Sequence, residues 1–333
     1  MNARPLRWGI LGTGRMAEAM AQEIAALADE GMELVAVASR TAAGAAAFGE
    51  RHALQRRYDS VEALCADPAV DVVYVATPHG HHHVAMLVAI AAGKAVLCEK
   101  AFTLNAPQAE AVFAAAGHAR CFVMEALWTR FLPAIVALRE LLAAGTLGDI
   151  RLITGGGAYL PQVGPDHYLL NRDLGGGVLL DAGVYLVSLA QLILGEPRRI
   201  EAAGLVGGSG VDEQDALLLQ WRTGAAALLY VSLHARRAPD LEILGTRGRV
   251  RLDAPVFRPA RLTLWNEGGE AETREYPIRG SGYGYQLLAV RDALRRGATQ
   301  CDAMSWTDTL AVMRCLDAVR GQLGVTYPGE RNA

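Results

Sequence analysis

The first part of the chain alternates short apolar runs with longer amphipathic stretches. Largely apolar runs of strand length lie at Leu6–Leu11, Leu34–Ala38, Val70–Ala76 and Ala95–Cys98. They lack the polar alternation of a strand with one exposed face, which is typical of a parallel sheet buried on both faces. The stretch 15–29 is rich in alanine and predicts a helix. Strands that alternate with helices predict an α/β domain with a doubly wound parallel sheet.

After residue 149 the pattern changes to strands in series. Short strands joined by glycine turns are predicted from Arg199 to Trp265, with helices at 178–194 and about 282–297. This order favours an α+β domain with an open, mainly antiparallel sheet. We therefore predict two domains, 1–125 and 126–333. The sequence leaves open which of them the last predicted helix, 306–323, joins.

The second predicted sheet is apolar on both faces. Leu217, Leu219, Leu229 and Val231 fall on one face and alternate with further apolar residues. Because the predicted helices cover only one face, the other face needs a partner. We therefore expect a homo-oligomer that associates through this sheet, with dimer and tetramer both left open.

Composition narrows the class of protein. The chain has 333 residues, 52% of them hydrophobic, and a net charge of −3 without a basic run, so we expect no nucleic-acid partner. Five scattered cysteines form no CxxC pair, which favours a reduced, cytoplasmic protein. We see no signal peptide, and no run of about eighteen unbroken apolar residues that would predict a membrane span.

A glycine-rich turn follows the first apolar run and precedes the first helix. Gly9 is expected to permit the tight turn, Gly12 to let the backbone approach a pyrophosphate, and Gly14 to leave the helix N-terminus open, where the N–H groups and the dipole favour anions. In a strand–turn–helix context the pattern predicts a dinucleotide site. The residues expected to form it are Gly9, Gly12, Thr13, Gly14, Arg15 and Met16.

The residues after the second strand bear on cofactor choice. NAD-binding proteins usually carry an acidic residue here, whereas this chain has Ser39 and Arg40. The guanidinium of Arg40 can bind a 2′-phosphate and stack on adenine. We therefore expect NADP(H) to be preferred, with NAD(H) possible; a solvated surface arginine is the alternative.

Two further segments end at the same predicted sheet edge. Thr77 is followed by four histidines in five residues, and we expect His79 and His82 to line the nicotinamide ribose with Thr77. A metal site is the alternative, but no carboxylate or cysteine follows at ligand spacing, so we predict none. Glu99 and Lys100 follow the next strand, and we expect both to contact the cofactor. Lys100 can reach a ribose and a substrate oxygen, and a lowered pKa would suit it for proton transfer.

Candidate substrate and proton-handling residues lie further along the chain. Trp128 and Arg130, between a predicted strand and helix, form either a substrate wall or a domain-interface anchor. His167 offers a polar contact in a long loop. Asp181 and Tyr185 lie four apart on a predicted helix and hence on one face, as candidates for proton handling or as a structural hydrogen bond.

Four motifs together resemble the glucose-fructose oxidoreductase / inositol dehydrogenase (Gfo/Idh/MocA) family. They are Gly9-x-x-Gly12-x-Gly14, Ala76-Thr77-Pro78, Glu99-Lys100 and Asp181-x-Gly183-x-Tyr185. The segments 124–131 and 175–181 are similar to the branch of dimeric dihydrodiol dehydrogenases and NADP-dependent D-xylose (aldose) dehydrogenases. The resemblance covers nearly the whole chain.

The resemblance implies a Rossmann domain, an α+β domain with an open mixed sheet, and association through that sheet. It implies that Lys100 is catalytic or orients the cofactor, and that Tyr185 stands where most of the family has histidine, with Asp181 before it. Trp128 would be the cleft tryptophan, with further pocket aromatics near Phe257 and Tyr283. One departure is Ala101, since the family usually has a proline there, commonly after a cis bond.

The activity that follows is reversible hydride transfer between NADP(H) and a secondary alcohol or hemiacetal carbon. The expected substrate is a sugar, a polyol or a cyclic trans-diol. Either Tyr185 carries the hydroxyl proton while Lys100 stabilises the oxyanion, or Lys100 carries the proton. A non-catalytic NAD(P)-binding regulatory protein is the alternative from another class.

Overall fold

The computed structural model describes residues 4–328 and 330. They pack into two units. The first contains the described residues up to Trp128 together with Arg279–Thr309, and the second contains Thr129–Ile278 together with the described residues from Leu310 onward. Residues 279–309 lie beyond the boundary predicted at residue 125, and they pack with the first unit.

The first unit is built on a six-stranded parallel sheet, as the buried apolar runs predict. The strand order is β3-β2-β1-β4-β5-β6, which reverses direction beside β1 and is that of a doubly wound fold. The strands are β1 (Leu6–Leu11), β2 (Met32–Ala38), β3 (Arg56–Tyr58), β4 (Val72–Val75), β5 (Ala95–Cys98) and β6 (Val123–Glu125).

Helices connect these strands, and three of them begin at polar caps. Thr41, Ser60 and Asn105 each accept a hydrogen bond from a backbone N–H in the first turn of their helix, which replaces a missing intrahelical partner. The helices are α1 (Arg15–Ala26), α2 (Ala42–Arg51), α3 (Val61–Ala66), α4 (His82–Ala91) and α5 (Ala106–Ala119).

The second unit contains an eight-stranded sheet of order β14-β13-β12-β11-β7-β10-β9-β8. All neighbours are antiparallel except β7 and β10, so the sheet is mixed but mainly antiparallel, as expected. Its elements are α6 (Pro133–Ala143), β7 (Ile150–Ala158), α7 (Val184–Leu194), β8 (Arg199–Val206), β9 (Asp212–Gln220), β10 (Ala226–Ser232), β11 (Arg237–Gly245), β12 (Arg249–Leu252), β13 (Arg261–Trp265) and β14 (Ala271–Glu275).

The two faces of this sheet differ in burial. Leu217, Leu219, Leu229 and Val231 are buried on one face, in agreement with the alternation in the sequence. On the opposite face an open groove crosses β7 to β12, and Leu228 within it is 49% exposed. This face therefore combines apolar side chains with charged ones, in contrast to the wholly apolar face that the sequence predicted.

The start of the helix near residue 178 differs from the expectation. A continuous α-helix over 178–194 is predicted, but Leu179–Gly183 forms a π-helical turn that leads into α7. A turn of this kind shifts the side chains around the helix axis, so the four-residue spacing of Asp181 and Tyr185 does not by itself place them on one face. Residues Arg172–Leu194 have the length and composition of a membrane span, but 67% of the most apolar window is buried, as in a core helix.

Two helices complete the chain. Helix α8 (Gly284–Arg295) lies within the first unit. Helix α9 (Trp306–Leu323) begins among residues grouped with the first unit and continues, after Thr309, among those of the second.

Candidate functional site

The glycine-rich turn joins β1 to α1 in a conformation that requires glycine at one position. Gly12 has φ +113°, and a Cβ there would lie 2.6 Å from the carbonyl oxygen of Ala76 on the neighbouring segment. Gly14 precedes α1 without a side-chain cap, and a Cβ on it would meet no atom of the described chain within 4 Å. The first N–H groups of α1 are therefore open to an anion.

Gly9 has a different role from the one expected. It lies inside β1 rather than in the turn, and a Cβ would approach the side chains of Leu64 and Val70 to 3.0 and 3.1 Å. Because Gly9 has no side chain, α3 can pack closely against β1. Gly9 therefore serves the packing of the sheet against its neighbours and does not form the tight turn.

Ser39 and Arg40 follow β2 directly, beside the glycine turn. The Ser39 hydroxyl lies 3.4 Å from the Thr13 hydroxyl, which links the ends of β1 and β2. Arg40 is exposed, so its guanidinium is accessible to a ligand at this edge. The geometry is compatible with the expected recognition of a ribose 2′-phosphate.

Two of the histidines hold a neighbouring backbone segment. Nε2 of His79 lies 3.1 Å from the carbonyl oxygen of Lys100. Nδ1 of His82 lies 3.0 Å from the carbonyl oxygen of Ala101, and Nε2 lies 2.8 Å from that of Thr77. His82 is fully buried, and burial lowers its pKa to about 3. A neutral imidazole has a single N–H, so the ring donates a hydrogen bond to one of these two carbonyl oxygens and only contacts the other. The structure thus places His82 as an internal brace, in contrast to the ribose contact expected from the sequence.

The segment that these histidines hold carries Lys100. The Lys100–Ala101 peptide bond is cis, although Ala101 replaces the usual proline. Phe102 donates its backbone N–H to Glu125 at 3.1 Å, which fixes the far side of the segment. Lys100 itself is half-buried at the carboxyl end of β5.

Glu99, next to Lys100, is buried and accepts a hydrogen bond from the hydroxyl of Tyr74. Burial raises the pKa of Glu99, and the nearby positive charges of Lys100 and Arg15 oppose that rise. Its carboxyl group is therefore buried beside Tyr74 of β4, a partner that the sequence did not predict.

Trp128 packs against an aromatic residue from late in the chain. Its ring centroid lies 4.4 Å from that of Tyr283, and the Tyr283 hydroxyl lies 3.9 Å from the sulfur of Met16 in the first turn of α1. An aromatic pair thus stands beside the open N-terminus of α1. The resemblance implied only that a pocket aromatic lies near Tyr283. The contact with Trp128 was not predictable, because the loop before Tyr283 has no periodic pattern.

Arg130 is buried, in contrast to the substrate wall that its position suggested. Its Nε donates to the Ser188 hydroxyl at 2.9 Å, and a terminal nitrogen lies 3.3 Å from the Ser188 carbonyl oxygen. Ser188 is one turn beyond Tyr185 on α7. Arg130 therefore stabilises α7 through Ser188, and its buried guanidinium is not accessible to a ligand.

Asp181 lies in a cluster of phenol groups in the second unit. Its carboxylate accepts hydrogen bonds from the hydroxyls of Tyr159 at 2.7 Å and Tyr168 at 3.3 Å. Burial and the charge of Asp181 raise the pKa of Tyr159 well above its ordinary value, so this phenol stays protonated. Tyr185 lies one helical turn further on, and its ring centroid is 5.7 Å from that of Phe257.

His167 lies at the edge of the same cluster. Its Nδ1 accepts a hydrogen bond from the backbone N–H of Leu169 at 3.3 Å, and its ring packs on Tyr168 with centroids 4.5 Å apart. The ring is partly exposed. Neither Tyr159 nor Tyr168 is evident from the sequence, because both lie in or beside a loop without periodicity.

The sequence-predicted residues therefore fall into two groups. The glycine turn, Ser39, Arg40, Lys100 and Trp128 belong to the first unit; Arg130, His167, Asp181 and Tyr185 belong to the second. Among residues 4–328 and 330, no three or more His, Cys, Asp or Glu side chains are grouped to hold a metal ion.

Two families of domains match the chain. Residues 6–127 match the oxidoreductase family with an NAD-binding Rossmann fold, and residues 135–251 match the GFO/IDH/MocA C-terminal domain. These ranges coincide with the six-stranded sheet and with much of the eight-stranded sheet.

Whole-length relatives agree with this match. The chain is 33% identical to trans-1,2-dihydrobenzene-1,2-diol dehydrogenase of Homo sapiens, covering 98% of this chain and 99% of the relative. It is 33% identical to D-xylose 1-dehydrogenase (NADP(+)) of Hypocrea jecorina, covering 98% and 94%. The crystal structure of aldose-aldose oxidoreductase from Caulobacter crescentus with glycerol is similar, with a TM-score of 0.87 and 25% identity over 96% of this chain and 97% of that one.

Three observations agree. They are the order of the strands, the glycine turn before an open helix N-terminus, and 33% sequence identity over nearly the full length of two relatives. The chain belongs to the Gfo/Idh/MocA family of oxidoreductases.

Proposed function

We propose that this protein catalyses reversible hydride transfer between NADP(H) and a CH–OH carbon of a sugar, a polyol or a cyclic trans-diol. The observation that carries the proposal is the glycine turn, because Gly12 has a backbone that only glycine adopts easily and Gly14 leaves the start of α1 open. The relatives named above act on diols and aldoses, which supports this substrate class.

The residues expected to hold the cofactor fit it. The N–H groups of α1 receive the pyrophosphate, and Arg40 with Ser39 receives the 2′-phosphate of the adenine ribose. When bound, NADP⁺ supplies the hydride acceptor, and NADPH supplies the hydride donor. His79 and His82 do not contact the cofactor in this proposal. Their rings hold the backbone segment that carries Lys100.

The proton chemistry is proposed for three side chains. In the oxidative direction the carbon loses a hydride and its hydroxyl loses a proton, which Tyr185 accepts in its phenolate form. Lys100 stabilises the negative charge that develops on that oxygen. Asp181, already hydrogen-bonded by Tyr159 and Tyr168, orients a substrate hydroxyl. The reversed assignment, with Lys100 as the proton carrier, makes a different kinetic prediction that is given in the Discussion.

Substrate recognition combines an apolar surface with polar groups. Tyr283 is partly exposed and packs on the buried Trp128 with the ring planes tilted by 53°, so Tyr283 offers an apolar ring face of the kind on which sugar and diol rings pack. Asp181 and the partly exposed His167 offer hydrogen-bonding groups. Arg130 is left out of this proposal, because its guanidinium is buried against Ser188.

We further propose that the protein is a cytoplasmic homo-oligomer. Its five cysteines are free and buried, which suits a reducing compartment. The groove on the eight-stranded sheet is lined by the apolar side chain of Leu228 and by side chains of both charges, which include Arg237, Arg251, Glu201 and Glu242. A self-complementary contact between two copies can pair such charges around an apolar centre.

Calorimetric titration with NADP⁺ and NAD⁺ tests the cofactor assignment. We expect NADP⁺ to bind at least about tenfold more tightly than NAD⁺, and Arg40→Asp to remove this difference, since a charge-assisted contact is worth about 1.5–3 kcal/mol. Arg51→Asp, on the exposed end of α2, is the matched control and should leave the preference unchanged. Equal binding of both cofactors would contradict the role of Arg40, and binding of neither would contradict the proposed activity.

A further inference from the structure

Two aspartates are fully buried together in the second unit and have no part in the mechanism described above. Asp212 and Asp215 both lie on β9 and are 0% exposed. Residues three apart on a regular strand point to opposite faces. Here the register of β9 against β8 shifts beside Glu213, so that Asp212 and Asp215 face the same buried side.

One of the two carboxyls contacts the start of the helix that carries Asp181 and Tyr185. Oδ2 of Asp212 accepts a hydrogen bond of 2.6 Å from the backbone N–H of Leu179, the first residue of the π-helical turn. The first N–H groups of a helix have no partner within it, and a carboxylate there also interacts favourably with the helix dipole.

Glycines leave room for both carboxyls. A Cβ on Gly177, which has φ +118°, would lie 2.2 Å from Oδ1 of Asp212, and a Cβ on Gly204 would lie 2.7 Å from Oδ1 of Asp215. The adjacent Gly176 is held as well, since its carbonyl oxygen accepts from the hydroxyl of Tyr327 at 2.6 Å. The chain is thus built around this acidic pair just before the helix begins.

The two carboxyls are buried on the same side of β9 and are close enough to interact with each other. Within the described chain, no other donor reaches Oδ1 of Asp212 or either oxygen of Asp215. Two adjacent buried carboxylates repel each other, whereas one proton held between them provides the missing donor. Burial and the neighbouring Asp212 raise the pKa of Asp215 to about 9, which agrees with this geometry.

The other ionisable groups around the pair do not supply that proton. Arg320 on α9 is close enough to influence Asp212, but its guanidinium donates to Asp317 and Glu330 at 2.8 and 2.9 Å. Tyr327 donates to Gly176, and Tyr159, which also senses the charge of Asp212, donates to Asp181.

We propose that Asp212 and Asp215 share one proton and together position the helix that carries Asp181 and Tyr185. Asp215 supplies the proton, and Asp212 keeps the negative oxygen that holds the N–H of Leu179. The pair consists of positioning residues. Their expected effect on turnover rests on the proposed function, whereas the shared proton does not.

The shared proton has a spectroscopic test. An infrared difference spectrum of wild type minus Asp215→Asn at neutral pH should contain the C=O stretch of a protonated carboxylic acid, because the asparagine amide takes over the donor role without that group. A difference spectrum without this band overturns the proposal.

Turnover tests the positioning role. Asp212→Ala leaves Leu179 without an acceptor, and we expect kcat to fall at least tenfold while the Kd for NADP⁺ stays within twofold. Asp212→Asn keeps an acceptor oxygen and should restore kcat to within threefold of wild type. Ser60→Ala, which removes a cap from α3 in the first unit, is the matched control and should lower Tm without changing kcat. A folded Asp212→Ala protein with wild-type kcat overturns the proposal.

One further measurement tests the positioning role without turnover, and one further variant serves if Asp212→Ala does not fold. The carbon-13 ring resonance of Tyr185, assigned by its loss in Tyr185→Phe, should move in Asp212→Ala and stay in place in Asp212→Asn, even if no sugar or diol is turned over. If the alanine variant does not fold, Asp212→Ser, whose side chain is too short to hold Leu179 in the same way, takes its place. An unmoved Tyr185 resonance in the folded variant contradicts the positioning role.

Discussion

At the scale of single residues, the backbone demand at Gly12 was predictable, whereas the role of Gly9 and the long-range partners were not. Gly12 could be singled out because its tight turn is local to the strand–turn–helix pattern. His82 was expected at the nicotinamide ribose, and Arg130 either at a substrate wall or as a domain-interface anchor; both are buried against segments that are distant in sequence. The chemistry of a side chain predicts what it can bind, whereas its partner depends on the packing of the whole unit.

Tyr185 and Lys100 make opposite kinetic predictions. If Tyr185 carries the proton, Tyr185→Phe should lower kcat by about 10²–10⁴-fold and remove the ionisation that limits the pH–rate profile. Lys100→Met should then lower kcat while leaving that ionisation in place at a shifted pH. Steady-state kinetics across pH with NADP⁺ and an aldose or diol measure both variants. Near-wild-type turnover of Tyr185→Phe would assign the proton to Lys100.

Asp215 predicts a pH dependence of stability. Its pKa is raised from 3.8 to about 9 in the folded chain, so between these values the folded state binds a proton that the unfolded state has lost. The contribution is therefore complete below the unfolded pKa and is lost as pH rises through the folded pKa.

Urea unfolding of wild type and Asp215→Asn from pH 5 to 9 measures this effect. The free energy of unfolding of wild type should fall with pH relative to the variant, with a slope difference of about one proton. The exposed Asp166→Asn is the control and should follow wild type. Parallel curves for wild type and Asp215→Asn would contradict an unusually high pKa at this position.

At the scale of elements, the regular pieces followed from the sequence and the irregular ones did not. Continuous apolar runs predicted the parallel strands, since burial on both faces leaves no polar alternation. The π-helical turn at Leu179–Gly183 and the register shift beside Glu213 had no such signal. Each depends on contacts with another element, such as the hydrogen bond from Leu179 to Asp212, which local periodicity does not encode.

The segment Lys100–Phe102 is predicted to depend on His82. His82→Ala removes the ring between the carbonyl oxygens of Thr77 and Ala101, together with the hydrogen bond that its single N–H donates to one of them, and a buried group left unsatisfied costs about 1–3 kcal/mol. We expect a lower Tm and, because Lys100 is no longer held, a lower kcat. Thermal unfolding and kinetics should find the exposed His81→Ala unchanged. A wild-type Tm for His82→Ala would contradict the bracing role.

At the scale of the whole molecule, the fold class followed from element order, whereas the composition of the units did not. The change from alternating strands and helices to strands in series indicated an α/β part and an α+β part. Residues 279–309 belong to the first unit although they follow the second sheet in sequence. A helix such as α8 carries the same amphipathic pattern wherever it packs, so its pattern could not assign it to a unit.

The groove on the eight-stranded sheet predicts the assembly. Leu228→Glu places a charge at its apolar centre and should convert the oligomer to monomers, as measured by light scattering after size-exclusion chromatography. Val84→Glu is the matched control, because Val84 is 62% exposed on α4, outside the groove. An unchanged molar mass for Leu228→Glu would exclude this face as the interface.

The late return of residues 279–309 to the first unit affects how the protein is made. Trp306 stacks on Phe113 with ring centroids 5.2 Å apart and donates its indole N–H to the carbonyl oxygen of Val123 at 2.9 Å. The backbone N–H of Ser281 is held by Glu23 of α1. During synthesis on the ribosome, the nucleotide-binding sheet therefore emerges first but acquires these contacts only after all of Thr129–Ile278 has been translated. A nascent chain released before that point lacks part of its N-terminal unit, even though every strand of that unit's sheet is present.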